Sequence, residues 1–195
     1  MENQILELYT ESTPNPETLK FVTSRFILKG AVAEFKTKES AEGNSPLALM
    51  LFEIPFIQQV FISNHYISIT KKQEYEWFEI SPEIKEAIRN YILSGQDFFT
   101  KPYYAQLNAV PEVSAVEEDD IDGKIIALLD KYVKPAVEMD GGHIAFKSFD
   151  NGVVTLLMQG ACSGCPSSSA TLKNGVEGLL KRMVPEVTEV IAEAG

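Results

Sequence analysis

Cysteine, histidine and tryptophan are scarce: the 195 residues include two cysteines, two histidines and one tryptophan. Two cysteines exclude a disulfide-stapled secreted scaffold, which needs several bridges to replace a core. Long apolar runs are absent too. The longest, from Leu47 to Ile57, is broken by Glu53 and Pro55 and is far short of the roughly 20 residues that cross a bilayer. There is no basic cluster, and 17 basic against 28 acidic residues leave a net charge of −11. Neither nucleic acid nor an anionic membrane is therefore an expected partner. Met1-Glu2-Asn3-Gln4 carries no basic segment before an apolar run, and no Arg-rich transit segment follows. The expectation is a cytoplasmic chain in a reducing compartment. What remains, 45% hydrophobic and 23% charged residues, suits an ordinary globular protein of one or two domains.

The charge divides the chain. Residues 1–110 hold ten basic and fourteen acidic residues and residues 121–195 hold seven and nine, while residues 111–120 hold five acidic residues and no basic one. That decapeptide begins with Pro111, lacks aromatics and has no periodic apolar face, so it reads as a self-repelling tether. The expected division is a first domain over 1–106, an acidic flexible linker over 107–119 and a second domain over 120–195.

In the first domain, Ile5–Thr10 and Phe21–Leu28 read as strands around the turn Thr13-Pro14-Asn15-Pro16. Ser45-Pro46 opens a short helix through Leu47, Leu51 and Phe52, with serine as cap and proline at the first helical position. Val60–Ser63 and Tyr66–Thr70 form a hairpin around Asn64-His65, and Trp77–Ile80 adds an extended piece. Ser81-Pro82 repeats the cap signal before a helix whose stripe is Ile84, Ile88, Tyr91 and Ile92, ended by Gly95. The aromatic stretch Phe98 to Tyr104 offers a surface on which a partner could dock, although core packing is the simpler use of Trp77, Phe78, Phe98 and Phe99.

In the second domain, Asp120 caps a helix with Ile121, Ile125, Leu128, Leu129, Tyr132 and Val133 turned inward, and Pro135 kinks or restarts it. Asp140-Gly141-Gly142 ends that helix and makes a turn. Strands His143–Phe149 and Val153–Gln159 flank Asp150-Asn151-Gly152, a strong hairpin signal. A helix over Pro166–Val184 buries Leu172, Val176, Leu179, Leu180 and Met183, and Val187–Ala192 closes the domain as a strand. Both domains are of the α+β class. The first follows a ββαββα-like order. The second is αββαβ, a three-stranded sheet with helices on one face.

Both cysteines lie together in Cys162-Ser163-Gly164-Cys165, between a strand and a helix N-terminus. Unpaired N–H groups and the helix dipole at such an end favour thiolates. Pro166 fits the first helical position, Ser167, Ser168 and Ser169 supply donors, and Gly160 and Gly164 let the backbone approach a bulky group. The two-residue gap suits chelation, but tetrahedral zinc or a four-iron cluster takes four protein ligands. His65 sits in another domain and His143 begins a strand, so neither is a strong candidate to complete the set. Two chains meeting at their CxxC loops supply four sulfurs. The rival uses of the same spacing are a thioredoxin-like thiol–disulfide oxidoreductase, a structural zinc site and a pair of inert thiols.

The run Asp140-Gly141-Gly142-His143-Ile144-Ala145-Phe146, followed by Gln159-Gly160-Ala161-Cys162-Ser163-Gly164-Cys165-Pro166-Ser167-Ser168, resembles the C-terminal domain of NifU, shared by the Nfu-type iron–sulfur carriers. The likeness continues through Thr171-Leu172-Lys173 and Gly175-Val176-Glu177 to Val184-Pro185-Glu186-Val187. Residues 1–106 resemble the Nfu N-terminal domain through Thr13-Pro14-Asn15-Pro16, Leu19-Lys20-Phe21, Ser45-Pro46-Leu47-Ala48, Val60-Phe61 and Ile67-Ser68-Ile69-Thr70-Lys71. Ile54-Pro55-Phe56-Ile57 departs from the Gly-Val step usual there.

The resemblance implies a carrier or late scaffold rather than an enzyme. It would hold a [4Fe–4S] cluster, or [2Fe–2S] in some states, between two subunits through Cys162 and Cys165. Its implied partners are an upstream cluster scaffold, a second copy of the chain and apo iron–sulfur client proteins. The Asp140-Gly141-Gly142 corner is read as a helix stop rather than a cluster contact, and Lys173 as a solvated residue.

Overall fold

A computed structural model describes residues 6–108, 121–163 and 166–195, the side chains of 166–171 excepted. Contacts divide the chain into two units, Met1–Val110 and Pro111–Gly195. The predicted cap at Asp120, the start of the first strand at Ile5 and linker residues 109–119 lie outside the described residues.

The first unit is built on a five-stranded antiparallel sheet in the order β1-β2-β5-β4-β3. Its strands are β1 (Leu8–Ser12), β2 (Thr18–Thr23), β3 (Val32–Phe35), β4 (Ile57–Ser63) and β5 (Tyr66–Lys71). Alternation turns Phe21, Val60, Ile62, Ile67 and Ile69 to one face, where they are buried with Leu47, Leu51, Ile84, Ile88 and Ile92 of the helices. Val22, Phe61 and Tyr66 form a smaller cluster on the other face.

Helix α2 (Pro46–Phe52) starts as its sequence requires: Ser45 Oγ accepts the Ala48 N–H at 3.1 Å, and Pro46 stands where no donor is needed. The β4–β5 hairpin turns at Asn64, with φ 24°. The loop before β2 is tied inward by Thr13 Oγ1, which donates to the Asn15 and Thr18 carbonyls, and by Trp77 Nε1, which donates to the Pro16 carbonyl.

Several expectations need correction here. Trp77–Ile80 is not extended; it forms the first turn of α3 (Trp77–Ser94), which is capped at Glu76 and not at Ser81. Ile80 already belongs to the buried stripe that continues through Ile84, Ile88 and Ile92, so the apolar face outweighs the one hydrogen bond that Pro82 removes. β2 ends at Thr23 rather than Leu28 because the Ile27 and Leu28 N–H groups leave the sheet for the Asn64 carbonyl, at 2.7 and 3.1 Å. β1 runs to Ser12, beyond the expected Thr10. Finally, the edge strand β3, the short helix α1 (Lys38–Ala41) and α4 (Lys101–Asn108) were not anticipated, so the ββαββα-like order gains a strand. α4 also takes in residues 107 and 108, which had been assigned to the linker.

The second unit has a three-stranded sheet, β6-β7-β8, with β6 (Gly142–Asp150) antiparallel to β7 (Val153–Gly160) and β8 (Glu189–Ala194) parallel to it. Asn151 and Gly152, at φ 48° and 86°, make the tight turn that Asp150-Asn151-Gly152 predicts. The Gly152 carbonyl accepts the Thr188 and Glu189 N–H groups and pins the start of β8. Glu177 Oε2 takes the Val190 N–H at 3.1 Å and ties α7 (Pro166–Met183) to the same strand.

Ile125, Leu129, Val133 and Val137 are the buried residues of a helical run made of α5 (Ile121–Leu128), a π-helical turn (Leu129–Val133) and α6 (Lys134–Met139). Four residues overshoot a full α-helical turn, and the wider π turn offsets that drift, keeping all four on the sheet side. The bend expected at Pro135 is expressed as this turn, closed by the Lys134 N–H on the Leu129 carbonyl. Tyr132 and Met183, expected inside, are 51% and 54% exposed; Val133 and Val184 occupy the core positions beside them.

Ile88 is fully buried in α3 against the first sheet. Truncation in Ile88→Ala should cost about 2–5 kcal/mol. Urea unfolding followed by Trp77 fluorescence measures this, because the only tryptophan reports on this unit alone.

Candidate functional site

The open end of the β6–β7 hairpin presents Cys162. Gly142 pairs with Gly160 across the ladder, and the chain turns immediately afterwards through Ala161, Cys162 and Ser163. The turn is fixed by backbone bonds. The Ala161 N–H reaches the Gly141 carbonyl at 3.3 Å, and the Gly160 carbonyl accepts both the N–H and the hydroxyl of Ser163, at 3.1 and 2.9 Å. Gly141 and Gly160 have φ of 79° and 67°, which a residue with a Cβ adopts only at a cost.

Cys162 is 5% exposed and belongs to the unit's hydrophobic core. Burial, with a smaller contribution from the negative charge of Asp140, pushes its thiol up to about 11. This reverses the expectation that helix-end electrostatics would favour a thiolate there. The other predicted ligand, Cys165, lies outside the described residues, as does Gly164; so do the side chains of Ser167, Ser168 and Ser169. Among the described residues no three His, Cys, Asp or Glu side chains gather in a metal-binding group.

The corner read as a bland helix stop is part of this arrangement. A Cβ placed on Gly142 would come within 2.7 Å of Cys162 Sγ, 2.9 Å of the Gln159 carbonyl and 3.1 Å of Cys162 Cβ. The Asp140-Gly141-Gly142 corner therefore supplies a charge near the thiol, a backbone acceptor for the turn and a space occupied by sulfur. The signal was in the sequence as two adjacent glycines, but only the ladder register shows which of them faces the cysteine.

Neither histidine belongs to a metal-binding group among the described residues. His65 sits in the β4–β5 turn of the first unit, edge-on to Phe26 at 6.0 Å between ring centroids. His143 pairs with Gln159, and its buried Nδ1 has no hydrogen-bond partner among the described residues. The aromatic stretch of the first unit lines a cleft of about 330 Å³ bounded by Ile27, Asp97, Phe98, Phe99, Lys101 and Tyr104, and Phe99 also belongs to the buried core.

Comparison with known proteins bears on both units. Residues 8–95 match the family described as "Scaffold protein Nfu/NifU N terminal", and residues 125–191 match the NifU-like domain. The chain is 38% identical to "NifU-like protein 4, mitochondrial" of Arabidopsis thaliana over 98% of its own length and 68% of that protein. It is 36% identical to the human "NFU1 iron-sulfur cluster scaffold homolog, mitochondrial" over 94% of its length and 70% of that protein. The chain belongs to the Nfu family.

A Drosophila willistoni member, also named an NFU1 iron-sulfur cluster scaffold homolog, is 41% identical over 97% of the chain. The chain spans 64% of that relative's length. All three relatives are named as mitochondrial. Among the described residues of this Nfu-family chain, no helix is long and apolar enough to cross a membrane.

His143 gives a testable electrostatic consequence. Burial, then the Lys134 charge, lowers its pKa from 6.5 to about 4. Between those values the unfolded chain binds the proton and the folded one does not, so stability falls as pH drops from about 6.5 towards 4, by about 1.4 kcal/mol per unit at most. Urea titrations at pH 7 and 5, followed on the Ile144 and Val154 methyl resonances, should show this loss, and His143→Gln should remove it.

Proposed function

We propose that this chain is an iron–sulfur cluster carrier that binds a [4Fe–4S] cluster, with [2Fe–2S] as an alternative state, between two subunits and delivers it to apo-proteins. The observation that supports it most is the joint match of both units to Nfu-family domains in a chain whose two cysteines form one CxxC. In this reading Cys162 and Cys165 of each subunit are the ligands, so four thiolates come from two chains. No substrate is turned over. The cluster is cargo: incoming client thiols replace the four chain thiolates, one pair from each chain, and their protons pass to the departing sulfurs as the two chains part.

The buried, protonated Cys162 fits a ligand that is called on only when cargo arrives. Binding iron takes the thiol proton, and the iron–sulfur bonds offset the cost of a charged sulfur in an apolar place. The reading also assigns the first unit a part in recognising clients or an upstream scaffold, with the cleft beside Phe98 and Tyr104 as a candidate contact, and residues 109–119 a role as tether. It assumes a reducing compartment, the cytoplasm on the sequence expectation, whereas the named relatives are mitochondrial.

Anaerobic reconstitution with iron and sulfide should give about four iron and four sulfide per dimer by analysis, Mössbauer spectroscopy and sizing. Cys162→Ser or Cys165→Ser should abolish it. A monomer that takes up no iron and cycles one intramolecular disulfide would instead support the oxidoreductase. Removing residues 1–110 should leave cluster binding intact and lower delivery to some clients in a transfer assay; unchanged delivery to every client would remove the recognition role.

A further inference from the structure

Gly142 lies inside the described start of β6 and outside the left-handed region, unlike Gly141 and Gly160. Its backbone does not call for glycine, and glycine weakens a strand because it orders more freedom and packs no side chain. The reason for glycine here is space. The position where its Cβ would stand is 2.7 Å from Cys162 Sγ, well inside van der Waals contact, and 2.9 Å from the Gln159 carbonyl.

We propose that Gly142 is a positioning residue for the cluster ligand Cys162, its missing side chain forming the seat that holds the sulfur at the open end of the β6–β7 hairpin. This rests on the reading of Cys162 as a ligand. A methyl group at 142 must displace Sγ, because the other neighbour is backbone carbonyl of the paired strand and has less room to yield. The Cys162 side chain then leaves the core position it now fills, and the sulfur is presented to cargo from a different and looser place.

The test uses the full chain carrying Gly142→Ala. In a Cys165→Ser background, iodoacetamide labelling of Cys162, read by mass spectrometry, should quicken about tenfold, as expected when a buried group is freed by local opening. Reconstituted iron and sulfide per chain should fall severalfold in Gly142→Ala alone. The melting temperature should drop by several degrees, and by clearly less when Cys162→Ala has already emptied the seat. Equal drops in the two backgrounds, or unchanged labelling, overturn the proposal.

If Gly142→Ala does not fold, the double variant with Cys162→Ala decides. A folded double variant supports the seat, and an unfolded one assigns Gly142 to strand pairing with Gln159 and overturns it. Cys162→Ser that still loads a full cluster sinks the ligand reading itself. Loss of loading in Cys162→Ser beside full loading and unchanged labelling in Gly142→Ala sinks the seat alone.

Discussion

The contact on which the candidate site depends is a sulfur packed against the one β6 position that has no side chain, Gly142. Cys162 lies two residues beyond the β7 ladder and would be free to swing if nothing met it there. What meets it is the start of β6, at Gly142, with the turn drawn in by the bond from Ala161 to the Gly141 carbonyl. The β6–β7 ladder, which pairs Gly142 with Gly160, holds that strand end in place, while the tie from Glu177 to Val190 acts at the far end of the sheet, where Val190 pairs with Val154. Loops that carry function are commonly positioned by a rigid scaffold of this kind.

Burial of that sulfur also sets the chemistry. A thiol near pKa 11 is almost wholly protonated at neutral pH and reacts slowly with oxidants and electrophiles, because the thiolate is the nucleophile. A helix N-terminus acts in the opposite direction and favours the thiolate. Both forces are real, and their ranges decide between them. The dipole effect fades within one turn and is worth under about 1 kcal/mol at an exposed site, whereas taking a charge out of water costs several kcal/mol. Burial was not visible in the sequence, because a cysteine in a Gly-Ala-Cys-Ser-Gly turn carries no periodicity to place it inside or out.

Much of the fold was legible where local chemistry and hydrophobic period agreed. Ser45-Pro46, Asn151-Gly152 and Gly95 each punctuate the chain as their backbone preferences require. The misreadings arose where the two signals conflicted. Ser81-Pro82 looks like a cap, but Ile80 extends the buried stripe one turn further back, and tertiary packing overrides a local preference. Ile27 and Leu28 looked like strand because they are apolar; they are buried as a cover over the hairpin turn instead.

The site was legible as a pair of cysteines and not as a place, and the cause can be traced to one residue. From the turn, Asp150 pairs with Val153, and the same register carries through Ser148 and Thr155. A regular ladder continued from there would set His143 opposite Gly160. The irregularity between Phe146 and Ser148 absorbs Lys147 as an extra residue, so Phe146 meets Leu156 and Gly142 meets Gly160. A slip of one residue reverses every side chain on a strand. Without the bulge, the direction now left empty by Gly142 would belong to His143, whose imidazole has no room beside a sulfur. The family motif places Cys162 in sequence; this bulge places it in space.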